Sequence, residues 1–351
     1  FLKKDIVFAR ANTDIPVLLF IFYCSVLLLN NIDEFSSNVL GLRNLIQYIL
    51  IYFLTINIVK KEWIKIFIFS LISTGVLIAL VNTVNFLSGP NKIELILSQQ
   101  YQSGIKFLAY GFLGANNYPV YLDALICVAF GLFSFTNSRR MKWLLSIAIF
   151  ILVISSLLTY SRGGVLALIL AMVFFGARYN KKVLVVVILL CLAGALFLPS
   201  TMHERFLTSE SYKEAVTTRT NIWANESLLV LNNLSLGVGL GRVGAAGGQE
   251  SLYPHSYYLY LLLQTGIFGL LIFLWIFAIF FKTCLRLAGQ YKDRYFKGLL
   301  IGIAMYYVMF AVSSFIMASG EAFLSAYLFW FLGGIVMILS RHSAQEEPAE
   351  I

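Results

Sequence analysis

Charge is what this chain has least of. Of 351 residues only 12% are charged, and there are three histidines, four cysteines and six prolines. A soluble domain carries roughly a quarter charged residues, and its helices show apolar stripes rather than solid apolar runs. Here 60% of residues are hydrophobic, 15% aromatic, and the mean hydropathy is +0.83. These shortages exclude a soluble fold and point to an all-α polytopic integral membrane protein. Cys24, Cys127 and Cys191 lie inside apolar runs, Cys284 ends one, and none forms a CxxC pair. Disulfide staples and zinc sites are thereby disfavoured, leaving free thiols among helices. The chain opens on Phe1 rather than Met, so an N-terminal piece, with room for a further span, is expected ahead of it. No cleavable signal peptide is recognisable.

What is abundant is apolar runs of spanning length. A helix needs about 20 residues to cross the hydrocarbon, and the pattern predicts about ten spans: 15–29, 43–59, 63–87, 118–136, 142–160, 163–178, 183–198, 257–281, 297–317 and 322–340. A β-barrel would show alternating strands of about ten residues; "VLVVVILLCLAGALFL" does not alternate. Assigning alternate helix ends to two sides gathers Lys3, Lys4, Arg10, Lys60, Lys61, Lys65, Arg139, Arg140, Lys142, Arg178, Lys181, Lys182, Lys282, Arg286, Lys292, Arg294, Lys297 and Arg341 on one side. By the positive-inside rule that side is cytoplasmic. The net charge of +9 is therefore an orientation signal rather than a nucleic-acid footprint. The expected organisation is N-terminal transmembrane helices over 1–198 (about seven), an extracytoplasmic loop over 199–256, C-terminal transmembrane helices over 257–340 (about three) and a cytoplasmic tail over 341–351.

Eight basic residues fall on the other side: Arg43, Lys92, Lys106, Arg162, Arg205, Lys213, Arg219 and Arg242. Topogenesis does not require them there. Cytoplasmic connections are too short for a nucleotide-binding domain, which takes on the order of 100 residues. Chemistry is expected outside the membrane, where a donor must arrive already activated; a lipid-linked one is the natural candidate.

The large outer loop reads as two helical pieces. "TMHERFLTSESYKEAV" (201–216) is charged. "TTRTNIWANESLLVLNN" (217–233) looks amphipathic, with Thr217 or Thr218 as cap and Ile222, Glu226 and Leu229 at helical spacing. Arg219 would then sit in a first turn, where amide N–H groups favour an anion. The following stretch contains a literal GxGxxG at Gly239, Gly241 and Gly244. A dinucleotide fingerprint needs a preceding strand and a βαβ unit, which are missing; a flexible loop and an anion-binding backbone nest remain open. His255 stands where the loop re-enters the membrane. It is either a hydrogen-bonded bystander or a proton acceptor or substrate positioner. Tyr253, Tyr257, Tyr258 and Tyr260 flank it as an interfacial belt, from which one or two could stack on sugar rings.

Arg162 interrupts two apolar segments at an outer turn, followed by Gly163 and Gly164. A snorkelling arginine is one reading. The other is a guanidinium held at the interface for bidentate phosphate recognition, with the glycines opening backbone space. Arg162, Arg219 and His255 project to one side, a combination suited to a lipid diphosphate.

Three ordered blocks carry a family resemblance: "TYSRGGVLAL", "RTNIWANESLLVLNNLSLGVGLGRVG" and "HSYYLYLLLQTGIFGLLIF". With "GFLGANNYPVYLDAL" at 111–125, the sequence over roughly 110–340 resembles the O-antigen ligase and O-antigen polymerase superfamily. Shared features are an SRG turn, an Arg–x–x–x–Trp helix, a glycine-rich stretch and a His–x–x–x–Leu start to a helix with a Thr–Gly. Ser235–Leu236 stand where the family usually has Pro–Leu, and Gln264 where Glu is common. The resemblance implies metal-independent, inverting glycosyl transfer, without a cofactor, from a glycan on undecaprenyl diphosphate, on the outer face of the bacterial inner membrane. It implies that Arg162 and Arg219 hold the diphosphate and stabilise the leaving group, and that His255 orients or deprotonates the acceptor hydroxyl. Arg205, Arg242 and Tyr257 are further candidates for substrate binding.

Three acceptors fit this chemistry: another lipid-linked repeat (polymerase), the lipid A-core of lipopolysaccharide (ligase), or a protein hydroxyl (O-oligosaccharyltransferase). The moderate outer loop favours the first two. A lipid-linked glycan flippase or transporter is the rival from another class. It would place ionisable residues near the bilayer midplane, and only Asp123 lies well within an expected span.

Overall fold

The computed structural model describes residues 11–30, 35–88, 114–159, 161–197, 210–243, 254–317, 320 and 323–346. The fold is all-α. Its helices are α1 Asp14–Val26, α2 Phe35–Ile46, α3 Ile49–Ile58, α4 Ile64–Ser88, α5 Gly114–Phe135, α6 Arg139–Leu157, α7 Arg162–Arg178, α8 Lys181–Phe197, α9 Glu210–Asn232, α10 Tyr257–Gln290, α11 Arg294–Ile316 and α12 Phe323–Glu346. Seven stretches among the described residues are long and apolar enough to cross a membrane: Phe35–Ile58, Lys61–Asn85, Asn117–Phe135, Arg139–Leu157, Tyr257–Gln290, Arg294–Ile316 and Phe323–Ser343. This is a polytopic membrane protein. The other three expected spans coincide with helices that are short. Asp14–Leu29 is a shorter apolar helix, and α7 and α8 have 17 residues each, about 25 Å of rise.

Helix ends extend past the expected limits in two places. The run that began at 257 continues to Gln290, and the last helix continues to Glu346. Neither extension meets a proline, and Lys, Arg and Gln are good helix formers, so the helices outlast their apolar stretches. The outer loop differs more. Residues 210–232 form one continuous helix, not two pieces meeting at Thr217. No Gly or Pro interrupts it, and the Thr220 hydroxyl donates back to the Thr217 carbonyl at 2.9 Å, a bond that lets threonine sit inside a helix. Residues 201–209 lie outside the described residues.

The chain divides into two compact units. One comprises 67–221 and 292–319. At its centre α5 and α11 cross with backbones nearly touching: a Cβ on Gly131 would overlap Gly298 and Gly302. Close crossing on small residues is how membrane helices gain packing without a hydrophobic driving force. α6, by contrast, exposes Trp143, Leu144, Ile147 and Phe150, as a helix facing lipid would. Arg294 donates to the Asn137 side chain. Lys297 lies 5.8 Å from the Phe135 ring centroid, and Phe135 packs edge-on to Tyr179 at 6.5 Å. The α5–α6 turn, the α7–α8 turn and the start of α11 therefore share one end of this unit. That end carries Arg139, Arg140, Arg178, Lys181, Lys182, Arg294 and Lys297. The start of α7, with Arg162, lies at the opposite end, where Gly163 meets Ile316 and Met317 just beyond α11.

The other unit comprises 1–66, 222–291 and 320–351. Tyr52 lies 5.8 Å from Phe280 and 6.2 Å from Trp330, joining α3, α10 and α12. Its hydroxyl donates to Asp14 at 2.9 Å. Arg341 donates to the Ile56 carbonyl at 3.1 Å, and Tyr291 to that of Leu339 at 2.8 Å. α10 is kinked at Gly266, where φ is 64° and ψ is −169°. An unbroken helix would have Ile267 N–H donate to Leu263 C=O. Instead Ile267 N–H donates to Leu234 at 2.8 Å, and Leu263 C=O accepts from Val238 N–H at 2.7 Å. Two bonds to the 234–238 segment replace the one the kink removes, which is how a broken helix keeps its backbone satisfied inside a membrane.

Candidate functional site

Arg162 is the first residue of α7, and its surroundings belong to the unit formed by 67–221 and 292–319. Ser161 caps the helix in an extended conformation, its hydroxyl accepting from Gly164 N–H at 3.4 Å. Ser161 N–H donates to the Thr159 hydroxyl at 3.3 Å, and that hydroxyl donates to Ser156 C=O at 2.6 Å. The Ser156 hydroxyl in turn donates to Asp123 Oδ1 at 2.7 Å. Four residues thus run, partly through the Ser156 carbonyl and the Ser161 N–H, from a fully buried aspartate on α5 to the turn that presents Arg162, which is half-buried. The Tyr118 and Ser155 hydroxyls pair at 2.9 Å beside this chain.

The glycine pair permits close approach at this turn, as expected. Both glycines are buried, and the space beside them is filled. A Cβ on Gly163 would overlap Met317, and one on Gly164 would lie 3.1 Å from both Asp123 Oδ2 and Pro119. They admit the neighbouring elements. Placing Arg162 at a helix start, where orphan N–H groups and the helix dipole favour an anion, achieves what the sequence reading assigned to Arg219.

Arg219 is the tenth residue of α9, well past its first turn. The expected helix-start contribution does not apply to it, because the helix begins at Glu210. Arg205 lies outside the described residues. Arg242 is exposed at the end of the glycine segment. Over its described part that segment packs against neighbouring backbone at Gly237 and Gly241, while Gly239 has open space beside it. Gly237, Gly239 and Gly241 have φ of 75°, 109° and 79°, a region that side chains other than glycine rarely adopt. Gly237 lies against the backbone of Leu263 to Gly266, and Gly241 against Ser37. The Ser37 hydroxyl donates to Gly241 C=O at 3.1 Å. Gly244 lies outside the described residues.

His255 is half-buried and directly precedes Ser256, the residue that caps α10 in an extended conformation. Tyr257 follows in the first turn. Its ring stacks on Tyr260 at 5.8 Å, meets Phe273 edge-on at 5.4 Å and covers Gly320. It is 7% exposed, so it anchors the helix start.

Two features of α9 escaped the sequence reading. Glu226 is 2% exposed, and neither carboxylate oxygen has a hydrogen-bond partner among the described residues. Trp223, one turn earlier, has a buried indole N–H likewise without a partner among them. Burial raises the Glu226 carboxyl to about 7. The available signal was Glu226 at helical spacing with Ile222 and Leu229, a glutamate on the apolar stripe. Among the described residues, no group of three or more His, Cys, Asp or Glu is placed to hold a metal ion.

No curated protein matches the chain. A family model described as O-antigen ligase matches residues 147–274, from within α6 through the SRG turn, α9, the glycine segment and His255 into α10. That match supports the O-antigen ligase superfamily, and with it a function of the O-antigen ligase or polymerase type.

Proposed function

We propose that this protein transfers a glycan from undecaprenyl diphosphate to an acceptor hydroxyl, as an O-antigen or capsule polymerase or an O-antigen ligase. The reaction takes place on the outer face of the bacterial inner membrane, with 199–256 as the extracytoplasmic loop. The observation that carries this reading is the family match over 147–274, which takes in Arg162, Arg219 and His255 in order.

In this reading Arg162, presented at the α7 start, and Arg219, on α9, grip the donor diphosphate through their planar forks. As the bond between sugar and phosphate lengthens, negative charge grows on the departing diphosphate. Preplaced guanidinium groups stabilise that charge without reorganising, so no metal or cofactor is assigned. His255 takes the acceptor proton, or orients the hydroxyl, for attack at the anomeric carbon from the face opposite the leaving group, which inverts configuration. Arg205 and Arg242 assist binding, and Tyr257 supports His255 by fixing the start of α10. The acceptor is a second lipid-linked glycan or a lipid A-core.

The test is transfer in liposomes containing only the purified protein, lipid-linked glycan extracted from the producing cell, and each acceptor in turn. Product is expected without added nucleotide or partner protein. Movement of the glycan across the bilayer without transfer would replace this reading with transport.

A further inference from the structure

We propose that Trp223 and Glu226 form a sugar-recognition subsite on α9, with the Glu226 carboxylate accepting a hydrogen bond from a hydroxyl of the glycan substrate and the Trp223 indole N–H donating to a hydroxyl oxygen. The inference rests on the glycan-transfer reading above and names a contact which that reading leaves open.

Buried polar groups in folded proteins are almost always hydrogen-bonded, and burying a carboxylate without a partner is costly. Glu226 is 2% exposed with both oxygens unpartnered among the described residues, and the indole N–H of half-buried Trp223 is itself buried and unpartnered among them. Residues three apart on a helix are surface neighbours, their Cβ atoms about 5–6 Å apart. Two neighbouring groups without a partner among the described residues are therefore of opposite hydrogen-bonding sense, the carboxylate an acceptor only and the indole N–H a donor only.

That pairing selects the ligand class. A lipid tail offers neither donor nor acceptor. A phosphate would be repelled by the carboxylate, and a cation would leave the indole N–H unpaired. A hydroxyl both donates and accepts, and a ring bearing several hydroxyls serves both groups at once. Trp223 also completes the Arg–x–x–x–Trp motif with Arg219, which ties the pair to the helix already assigned to donor binding. Burial that raises the Glu226 carboxyl to about 7 still leaves it an acceptor, because a protonated carboxyl retains a carbonyl oxygen.

The experiment uses the full chain in liposomes, with lipid-linked glycan extracted from the producing cell as donor and the acceptor that supports transfer. Initial rates are measured with donor and acceptor varied in turn, for wild type, Trp223→Phe, Glu226→Ala, the double variant and Arg162→Lys. Trp223→Phe keeps an aromatic ring and removes the N–H donor together with the volume of one fused ring. Glu226→Ala is expected to raise KM for one glycan substrate about tenfold, the scale of one lost hydrogen bond to a charged group, and Trp223→Phe about fivefold, the scale of a neutral one, with kcat within about threefold in both. The substrate whose KM moves is the one the subsite holds. The double variant should lose less than the product of the single effects, as expected for groups that share a ligand. If neither KM moves in Trp223→Phe and Glu226→Ala while Arg162→Lys abolishes kcat, the subsite is wrong and the transfer reading stands. If the wild type transfers nothing, both fall. Should Glu226→Ala fail to fold, Trp223→Phe decides alone, and an unchanged KM there overturns the subsite.

Discussion

The Ser156 hydroxyl donates to the buried Asp123 carboxylate at 2.7 Å, and through Thr159 and Ser161 that contact reaches the turn presenting Arg162. Asp123 is thus a positioning residue for an arginine 39 positions further along the chain. Ser156→Ala removes a hydrogen bond to a carboxylate and is expected to destabilise the protein by about 1.5–3 kcal/mol. Thermal unfolding in detergent would show this as a lower midpoint. Transfer by the surviving folded protein should also fall, because Ser156, whose carbonyl carries the Thr159 contact, loses its anchor on Asp123; unchanged transfer would make that anchor structural only.

The arginines and His255 are tested by conservative changes. Arg162→Lys and Arg219→Lys keep the charge and lose the bidentate fork, so a large loss of transfer at normal expression is expected. Near wild-type transfer for Arg162→Lys would reduce Arg162 to a membrane-edge residue. His255→Ala should spare donor binding yet reduce transfer roughly 10²-fold or more. His255→Gln separates two roles: it can hold the acceptor but cannot take its proton. Activity retained in Gln assigns positioning, and loss in both assigns the base.

Gly237 meets the backbone of Leu263 to Gly266 at a φ of 75°. Gly237→Ala adds a Cβ where the Leu263 carbonyl stands and imposes a backbone conformation costing of order 1–3 kcal/mol. The expected result is a clear fall in unfolding midpoint, or loss of folded protein. A neutral effect would mean that the 234–238 segment does not support the kink in α10.

Glu226 gives a pH signature. Its carboxyl is raised from an ordinary 4.5 to about 7 by burial, so between those values the folded chain binds a proton that the unfolded chain does not. Stability is then highest below about 4.5 from this group and falls as pH rises through about 7. Glu226→Gln should flatten that part of the profile and raise the unfolding midpoint at pH 8. A wild-type profile that does not differ from Glu226→Gln between pH 5 and 8 would show that the carboxyl is solvated.

Orientation is read by labelling. In a Cys191→Ala background, since Cys191 is exposed, a cysteine at Asn225 on α9 should react with a membrane-impermeant thiol reagent in intact spheroplasts, and one at Ser138 should not. The reverse pattern would place the proposed chemistry on the cytoplasmic side. Transfer should also survive EDTA; a strict magnesium requirement would contradict charge stabilisation by arginine alone.

Membrane character, helical class and the location of the helices follow from local properties: apolar runs of spanning length, their charged ends and the absence of breakers. The SRG turn, the Arg–x–x–x–Trp motif and His255 were legible for the same reason, as short patterns of residue type. What is adjacent across the chain was not. That Asp123 lies beneath the SRG turn, that Gly163 and Gly164 admit Met317 and Pro119, and that residues 234–238 complete the broken hydrogen bonding of α10 at Gly266 all join residues distant in sequence. Tertiary structure also buried Glu226 without a partner among the described residues. The physical reason is the same in each case. Hydropathy and helix propensity act within a few turns of a residue, whereas burial and hydrogen-bond satisfaction depend on which helix comes to lie alongside, and that is decided by packing of the whole chain.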